Sequence, residues 1–172
     1  MWLAQNKIGV STVEDLKQAL QRLAKAVVVI TTADKNGRYA MSATAVSELS
    51  MEPPSMLICV NKSASLFPVL ATGAPFIINI LHHQQADISV ACAGKVKGEA
   101  RFEFGKWIET NSGIHRLEGA QASIICRNVQ SVEFGTHGIF IGEVEEVFTS
   151  STPDPLIYVD RRYGKMDNIT FT

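Results

Sequence analysis

The alternation of apolar and polar residues predicts a chain built mainly from short strands. It opens with an amphipathic segment whose apolar residues recur every three or four positions from Val13 to Val27, and a helix is expected over about residues 12–25. A Ser11–Glu14 spacing would cap this helix. The β-branched run VVVITT follows and ends at the turn sequence DKNG, so a hairpin is expected next, with its return strand over residues 38–49.

The later pattern continues with strands joined by turns. These strands are expected at residues 55–61, 76–81, 120–134, 139–148 and 156–159. Breaks in the apolar phase near Asn128 and Glu145 predict β-bulges in the two longest strands. A short helix should end at Gly73, and residues 82–94 fit a second helix. Residues 95–118 show no sustained period and are interpreted as an excursion over the surface.

The order of these elements predicts the fold class. About seven strands joined mainly by turns favour an antiparallel β-barrel with a few flanking helices over a doubly wound sheet. No G-x-G-x-x-G follows a strand, so the usual dinucleotide-binding fold is not expected. The 172 residues fit one domain, with the barrel over about residues 26–164 and a tail over residues 165–172.

Composition narrows the range of partners and the cellular compartment. The chain is 46% hydrophobic and 19% charged with a net charge of -1, which argues against disorder and against general attraction to nucleic acid or acidic membranes. Its apolar runs are too short to span a bilayer, and its start lacks the apolar core of a secretory signal. Three cysteines without paired spacing are typical of free thiols. We therefore expect a cytoplasmic protein without a membrane or nucleic-acid partner.

Residues 42–65 form the strongest candidate ligand site. The small residues of the run SATA would let a flat ring approach backbone N–H and C=O groups. The run NKSAS, which ends the segment before a helical pattern, supplies amide, ammonium and hydroxyl donors suited to phosphate. Small residues also mark close strand packing and serines also cap helices, but the two runs together favour a flavin site.

Other candidate residues are less specific. Adjacent His82 and His83 would point apart on a helix, so they are expected at the surface or in a cap, and no metal site is predicted. His137 follows a glycine turn that could aim its ring into a cavity or bond it to the backbone. Arg162 and Tyr163 could clamp a nucleotide or simply end a strand. No G-x-S-x-G motif supports a hydrolase.

Four blocks in matching order carry a resemblance to a known family. They read SATAVSELSMEPPSMLICVNKSAS, NILHHQQ with CAG after it, FGTHGIFIGEVEEV and PLIYVDRRYG, and they span about residues 26–164. Together they resemble the flavin reductase family, which includes the small reductase components of two-component aromatic monooxygenases such as those acting on 4-hydroxyphenylacetate. The resemblance implies an antiparallel, Greek-key-like split β-barrel that binds FMN or FAD, forms a homodimer and takes hydride from NADH or NADPH.

The resemblance also assigns roles by position. The implied flavin contacts are Ser42, Ala43, Thr44, Ala45, Ser47, Cys59, Val60, Asn61, Lys62, Ser63, Ser65 and, at the flavin edge, Asn79. The implied nicotinamide contacts are His137, which would position the nicotinamide, with Arg162, Tyr163 and Gly164 in the same cleft. Two residues depart from the family pattern. Thr136 replaces a common Asp and bears on nicotinamide preference, whereas Cys92 replaces a common Phe and is expected only to repack the core.

The leading hypothesis is therefore an NAD(P)H-dependent flavin reductase with FMN favoured over FAD, supplying reduced flavin to a partner monooxygenase. Hydride passes directly between two stacked rings, so the protein needs no nucleophile of its own. Two alternatives stay open at this point. One is a flavoprotein that passes electrons to another acceptor, such as a cobalt corrin or a ferric complex, and the other is a flavin-binding module without turnover.

Overall fold

The computed structural model describes residues 12–167, beginning with helix α1 (Val13–Leu20). Its cap is formed by Thr12, whose Oγ1 accepts from the Asp15 backbone N–H at 3.1 Å while the Asp15 carboxylate accepts from the Thr12 N–H at 3.0 Å. The predicted cap residue Ser11 lies outside the described residues. The helix is also shorter than predicted, because the Gln21 carbonyl accepts from the Asp160 N–H and the chain then turns into a strand.

Strands and short helical turns make up the rest of the described chain. The strands are β1 (Lys25–Ala26), β2 (Val28–Asp34), β3 (Gly37–Ala43), β4 (Val46–Met51), β5 (Pro54–Asn61), β6 (Phe76–Ile80), β7 (Trp107–Glu109), β8 (His115–Leu117), β9 (Ala122–Phe134), β10 (His137–Thr149), β11 (Ile157–Val159) and β12 (Arg162–Gly164). The later helical elements are α2 (Phe67–Ala71), a 3₁₀ turn (His83–Gln85), α3 (Ala86–Val90), a π turn (Ala91–Lys95) and a second 3₁₀ helix (Gly98–Glu103). None of the helices within residues 12–167 is long and apolar enough to cross a membrane.

The main sheet has seven antiparallel strands in the order β3-β2-β6-β9-β10-β5-β4. Met41 on β3 and Val46 on β4 come from opposite edges of this order, yet both pack against one buried cluster that includes Ile58, Phe76 and Phe140. The sheet therefore wraps around a single core, and the predicted split β-barrel is confirmed. The short strands β7 and β8 pair with each other, and β1, β11 and β12 form a third small sheet.

The return strand predicted over residues 38–49 is in fact two strands. The first, β3, pairs with β2, whereas β4 pairs with β5 at the other edge of the sheet, so Thr44 and Ala45 lie between the two ladders. Both predicted bulges in the β9–β10 pair are confirmed. The register shifts between Ile141 and Gly142, opposite Asn128, and again around Glu145.

The helical region after β6 differs from the prediction. Residues 82–94 form a 3₁₀ turn, α3 and a π turn instead of one helix, and Gly94 closes the π turn at a φ of 106° that favours glycine. The predicted surface excursion over residues 95–118 also contributes to the core. Its Phe102 and Leu117 are buried against β2 and α3 residues in a second apolar cluster.

One fully buried polar side chain, Asn79 of β6, ties several strands together. Its Nδ2 donates to the Val29 carbonyl at 3.0 Å and to Thr31 Oγ1 at 3.3 Å. Its Oδ1 accepts from the Leu117 N–H at 2.9 Å and from Ser123 Oγ at 2.8 Å. The amide thereby links β6 to β2, β8 and β9 and has no exposed surface.

We predict that Asn79→Ala lowers the free energy of unfolding by roughly 2–4 kcal/mol, because it leaves buried backbone and hydroxyl groups without partners. Urea unfolding of the flavin-free protein measures this change. Asn36→Ala is the matched control, since that exposed amide only bonds Asp34 in a turn and its loss should cost about 0.5 kcal/mol or less. Equal effects of the two substitutions would contradict the role of Asn79.

Candidate functional site

The site is built around a cleft of about 530 Å³, called the main cleft below. One wall is the end of β3 with Met41 and Ser42, a second is residues 63–66 before α2, and the third comes from segment 92–101. This volume lies within the range of about 300–1,000 Å³ that is usual for ligand sites. The wall at β3 therefore faces two segments that connect strands, which is where ligand-binding residues usually lie.

A second cleft, the side cleft, continues the first along β3. It has a volume of about 210 Å³, shares Ser42 and Ala93 with the main cleft, and extends over Ala43 and Thr44 to Tyr163. Small side chains thus line the side cleft on the β3 side, and Met41 and Ser42 line the main cleft there. A flat ring lying there would contact mainly backbone, as the sequence pattern suggested.

A third cleft, the edge groove, lies where the chain passes from β3 to β4. It has a volume of about 440 Å³ and is lined by Thr44, Ala45, Ser47 and Cys59 among others. The Ala45 carbonyl accepts from the Cys59 N–H at 2.9 Å, which joins two of the lining residues. Every predicted contact from Ser42 to Ser47 therefore borders one of the three clefts.

Positive charge enters the main cleft from residues that sequence reasoning missed. Lys97 and Arg101 both line it with Ser63 and Ser65, and no carboxylate does. Arg101 is held in place because its Nε donates to the Val96 carbonyl at 2.7 Å. Neither cation has an ion pair within residues 12–167, so both remain available to an anionic group.

Lys62, the predicted phosphate partner, points elsewhere. Its Nζ lies 2.7 Å from Oε2 of Glu133, and it does not line the main cleft. Asn61 has a local role, because its Oδ1 accepts from both the N–H and the hydroxyl of Ser63 at 2.9 Å and shapes the turn that carries Ser63 into the cleft.

Two predicted flavin contacts, Val60 and Asn79, are buried within the barrel. Val60 has no exposed surface and packs in the barrel core, so its side chain is structural. Asn79 is equally buried, and its amide bonds groups on neighbouring strands, so its place at the flavin edge stays a prediction. The sequence pattern predicts that these residues lie on strands, but it does not show which side chains point into the core.

A chain of three hydroxyl groups joins the two sides of the side cleft. The buried Ser89 of α3 has its Oγ 2.8 Å from Ser42 Oγ and 2.9 Å from the Tyr163 hydroxyl. Ser89 thus connects β3 directly to β12. Its only signal in the sequence is a small polar residue within an apolar helical face, which does not predict this role.

The remaining predicted residues lie outside the three clefts. His137 is exposed, and its Nδ1 is 2.9 Å from Thr136 Oγ1, while the Thr136 carbonyl accepts from the Lys62 N–H at 2.9 Å. The histidine turn is therefore attached to the turn that leads into the main cleft. Arg162 and Gly164 are exposed on β12 beside Tyr163. None of the three clefts brings His137 together with Tyr163.

Cys92 borders the main cleft but is poorly reactive. The side chain is 1% exposed, and burial raises the pKa of its thiol to about 11, against the opposing effect of the Arg101 charge. Burial also raises the pKa of the Cys126 thiol to about 12. Burial therefore disfavours the nucleophilic thiolate form of both cysteines at neutral pH.

Comparison with known proteins gives a consistent result. A family model described as "Flavin reductase like domain" matches residues 20–167. The reductase component of the FADH(2)-dependent resorcinol hydroxylase of Rhizobium sp. (strain MTP-10005) is 38% identical over 153 residues, which are 87% of this chain and 85% of that protein. The FMN reductase (NADH) RutF of Stutzerimonas stutzeri is 38% identical over 150 residues, or 87% of this chain and 86% of that protein.

A solved structure has a backbone similar to that of this chain. The flavin reductase PheA2 in its native state superposes with a TM-score of 0.83 at 25% identity, covering 92% of this chain and 100% of that one. The similarity therefore extends across nearly all of the described residues rather than over one motif.

We predict that iodoacetamide modifies Cys92 in the native, flavin-free protein about a hundred times more slowly at pH 8 than in the unfolded chain. With a pKa of about 11, only about one thiol in a thousand is ionised at that pH. The rate should rise about tenfold per pH unit between pH 8 and 10. Peptide mapping measures it, a reaction in denaturant is the control, and a native rate equal to the unfolded one would contradict the burial.

Proposed function

The chain belongs to the flavin reductase family, whose domain model covers residues 20–167, and from this premise we propose that it transfers hydride from NADH to a flavin. The observation that carries the proposal is the main cleft, where Met41 and Ser42 of β3 face two serine hydroxyls and the cations Lys97 and Arg101. Neither cation has an ion pair within residues 12–167. A flat ring with a phosphate-bearing tail matches this combination of apolar floor and anion site.

The residues that line the three clefts fit the parts of a flavin. Ser42, Ala43 and Thr44 would support the ring through their backbone, and Thr44 lies outside the ladder pairs of β3 and β4. Ser63, Ser65 and the cations Lys97 and Arg101 would hold the phosphate. The edge groove with Ala45, Ser47 and Cys59 would take the ribityl chain or a further part of the ligand. When bound, flavin supplies the ring that accepts the hydride.

The protein's contribution to turnover is positioning. Tyr163 closes the side cleft opposite β3, and the hydroxyl chain through Ser89 fixes its distance from that strand. We assign the nicotinamide to the side cleft near Tyr163. Arg162 and Gly164 lie next to Tyr163 on β12. His137 is also assigned to nicotinamide positioning, because its turn is hydrogen-bonded to the turn of residues 61–63.

FMN is the favoured flavin and NADH the favoured donor. Support comes from relatives named FMN reductase (NADH), such as that of Stutzerimonas stutzeri. The resorcinol hydroxylase reductase is named as a component of an FADH(2)-dependent system, and it suggests that this chain likewise supplies reduced flavin to a separate oxygenase. Free thiols at Cys59, Cys92 and Cys126 and the use of NADH fit a cytoplasmic location.

A homodimer is the proposed assembly. Large apolar side chains are exposed on the outer half of the β9–β10 hairpin, with Phe134 85% exposed, and on β4, with Met51 75% exposed. Helix α1 also buries none of its apolar residues in the described chain. Exposed apolar surface of this extent is typical of interfaces, and a second copy of this chain is the proposed occupant.

The test of the proposed function is an anaerobic mixture of the purified protein, FMN and NADH. We expect the visible absorbance of oxidised FMN to disappear within seconds to minutes at catalytic protein concentration. Failure of both NADH and NADPH to bleach FMN or FAD would overturn the proposal. Tight flavin retention with poor turnover of free flavin would instead favour a bound flavin serving another acceptor, such as a cobalt corrin or a ferric complex.

We predict that Ser89→Ala raises KM for NADH about three- to tenfold because it removes the bond to the Tyr163 hydroxyl, while FMN affinity changes less than twofold. Tyr163→Phe removes the same bond from the other end and keeps the ring. The double variant should therefore be no worse than the single ones. Steady-state kinetics and FMN titration separate the two constants. Additive effects, or a loss of FMN affinity with KM unchanged, would contradict this role for Ser89.

A further inference from the structure

A cluster of metal-binding side chains lies away from the three clefts. It consists of His82 and His83 at the start of the 3₁₀ turn and Asp154 in the loop before β11. One ligand atom from each residue lies within 4.8 Å of the others. These three side chains form the one group of this kind found within residues 12–167, and the proposed flavin chemistry does not use them.

The structure overturns the expectation that the two histidines point apart. That expectation required both residues to be helical, but His82 precedes the 3₁₀ turn with extended backbone at φ −71° and ψ 150°. The helical rotation therefore starts only after His82. The two rings come to lie with centroids 4.5 Å apart and planes tilted by 39°.

Two distances from Asp154 lie on either side of the spacing expected around a small tetrahedral ion. Asp154 Oδ2 lies 2.7 Å from His83 Nδ1 and 3.7 Å from His82 Nε2. Ligand atoms of a tetrahedral zinc site lie roughly 3.3 Å apart, a value between these two. The buried His83 Nδ1 makes no hydrogen bond of acceptable geometry in spite of its short distance to the carboxylate.

Backbone contacts hold the cluster in this arrangement. The His83 N–H donates to the Asp154 carbonyl at 2.9 Å, and His82 forms an isolated antiparallel bridge with Pro155. Next to this bridge, the Leu156 N–H donates to the Leu81 carbonyl at 2.8 Å. Among the described residues no lysine or arginine pairs with the Asp154 carboxylate, so its charge is available to a cation.

We propose that His82, His83 and Asp154 bind a divalent transition-metal ion of the zinc type, with water in the fourth position. Two imidazoles and a carboxylate are a ligand set that suits zinc. The ion joins the loop of residues 150–155 to the segment that carries Ser89 and Cys92. It is a structural clip, and it takes no part in the hydride transfer.

The proposal has a defined consequence at His82. In the metal-free protein His82 Nδ1 accepts from the Gln84 N–H at 3.2 Å, so a neutral ring carries its proton on Nε2. A metal ion at Nε2 needs the lone pair of that nitrogen. Metal binding therefore moves the ring proton to Nδ1 and releases the bond from Gln84, a tautomer change that ¹⁵N NMR detects.

The experiment uses the full-length chain without a histidine tag, stripped with a chelator and titrated with Zn²⁺ by calorimetry. We expect one Zn²⁺ per chain, the tautomer change at His82, and a rise in Tm of about 5–10 °C at a Zn²⁺ concentration of a hundred times Kd. Asp154→Asn and His83→Gln should each raise Kd at least about tenfold.

His137→Gln is the matched control, since it removes a histidine elsewhere on the chain and should keep the Zn²⁺ affinity. Asp154→Asn retains the backbone bond to His83, so it tests the site even if His83→Gln fails to fold. Sub-stoichiometric or absent Zn²⁺ binding, or equal affinity in Asp154→Asn and the unaltered chain, would overturn the proposal and leave an ordinary histidine–aspartate ion pair.

Discussion

The structure depends on one topological constraint, which is that β3 and β4 are consecutive strands at opposite edges of the same sheet. Only Thr44 and Ala45 separate them, although five other strands lie between them in the sheet order. A two-residue link can reach only about 10 Å, so the two edges must meet and the sheet must close into a barrel. At the meeting point the ladders end, and the backbone there is left to face a ligand.

The same constraint explains where the clefts lie. All three border the run from Ser42 to Ser47, because the closure leaves a gap between the ladders that only small side chains can line. The opposite walls come from segments that are not in the main sheet, and Ser89 attaches one of them through the hydroxyl chain to Ser42. The barrel thus provides a rigid floor, and shorter elements tied to it provide the walls.

The sequence predicted those parts of the molecule that depend on local pattern. Strand positions follow from a period of two, and the bulges at Asn128 and Glu145 follow from breaks in that period. The division of the return strand could not be seen, because its second half is defined by pairing with β5, a later segment. The roles of Lys97 and Arg101 could not be predicted for a similar reason, since only the fold brings residues 97 and 101 to Ser63 and turns Lys62 toward Glu133.

The charge of the site also shows why whole-chain properties say little about its ligand. A net charge of -1 predicts no attraction to polyanions, yet two cations without ion-pair partners in the described chain converge on one cleft. Screening at physiological salt limits the reach of such a pair to about 8 Å. It therefore acts on a phosphate already inside the cleft and barely on a distant polymer. Selectivity for a small phosphorylated ligand thus follows from where two side chains lie and not from the net charge.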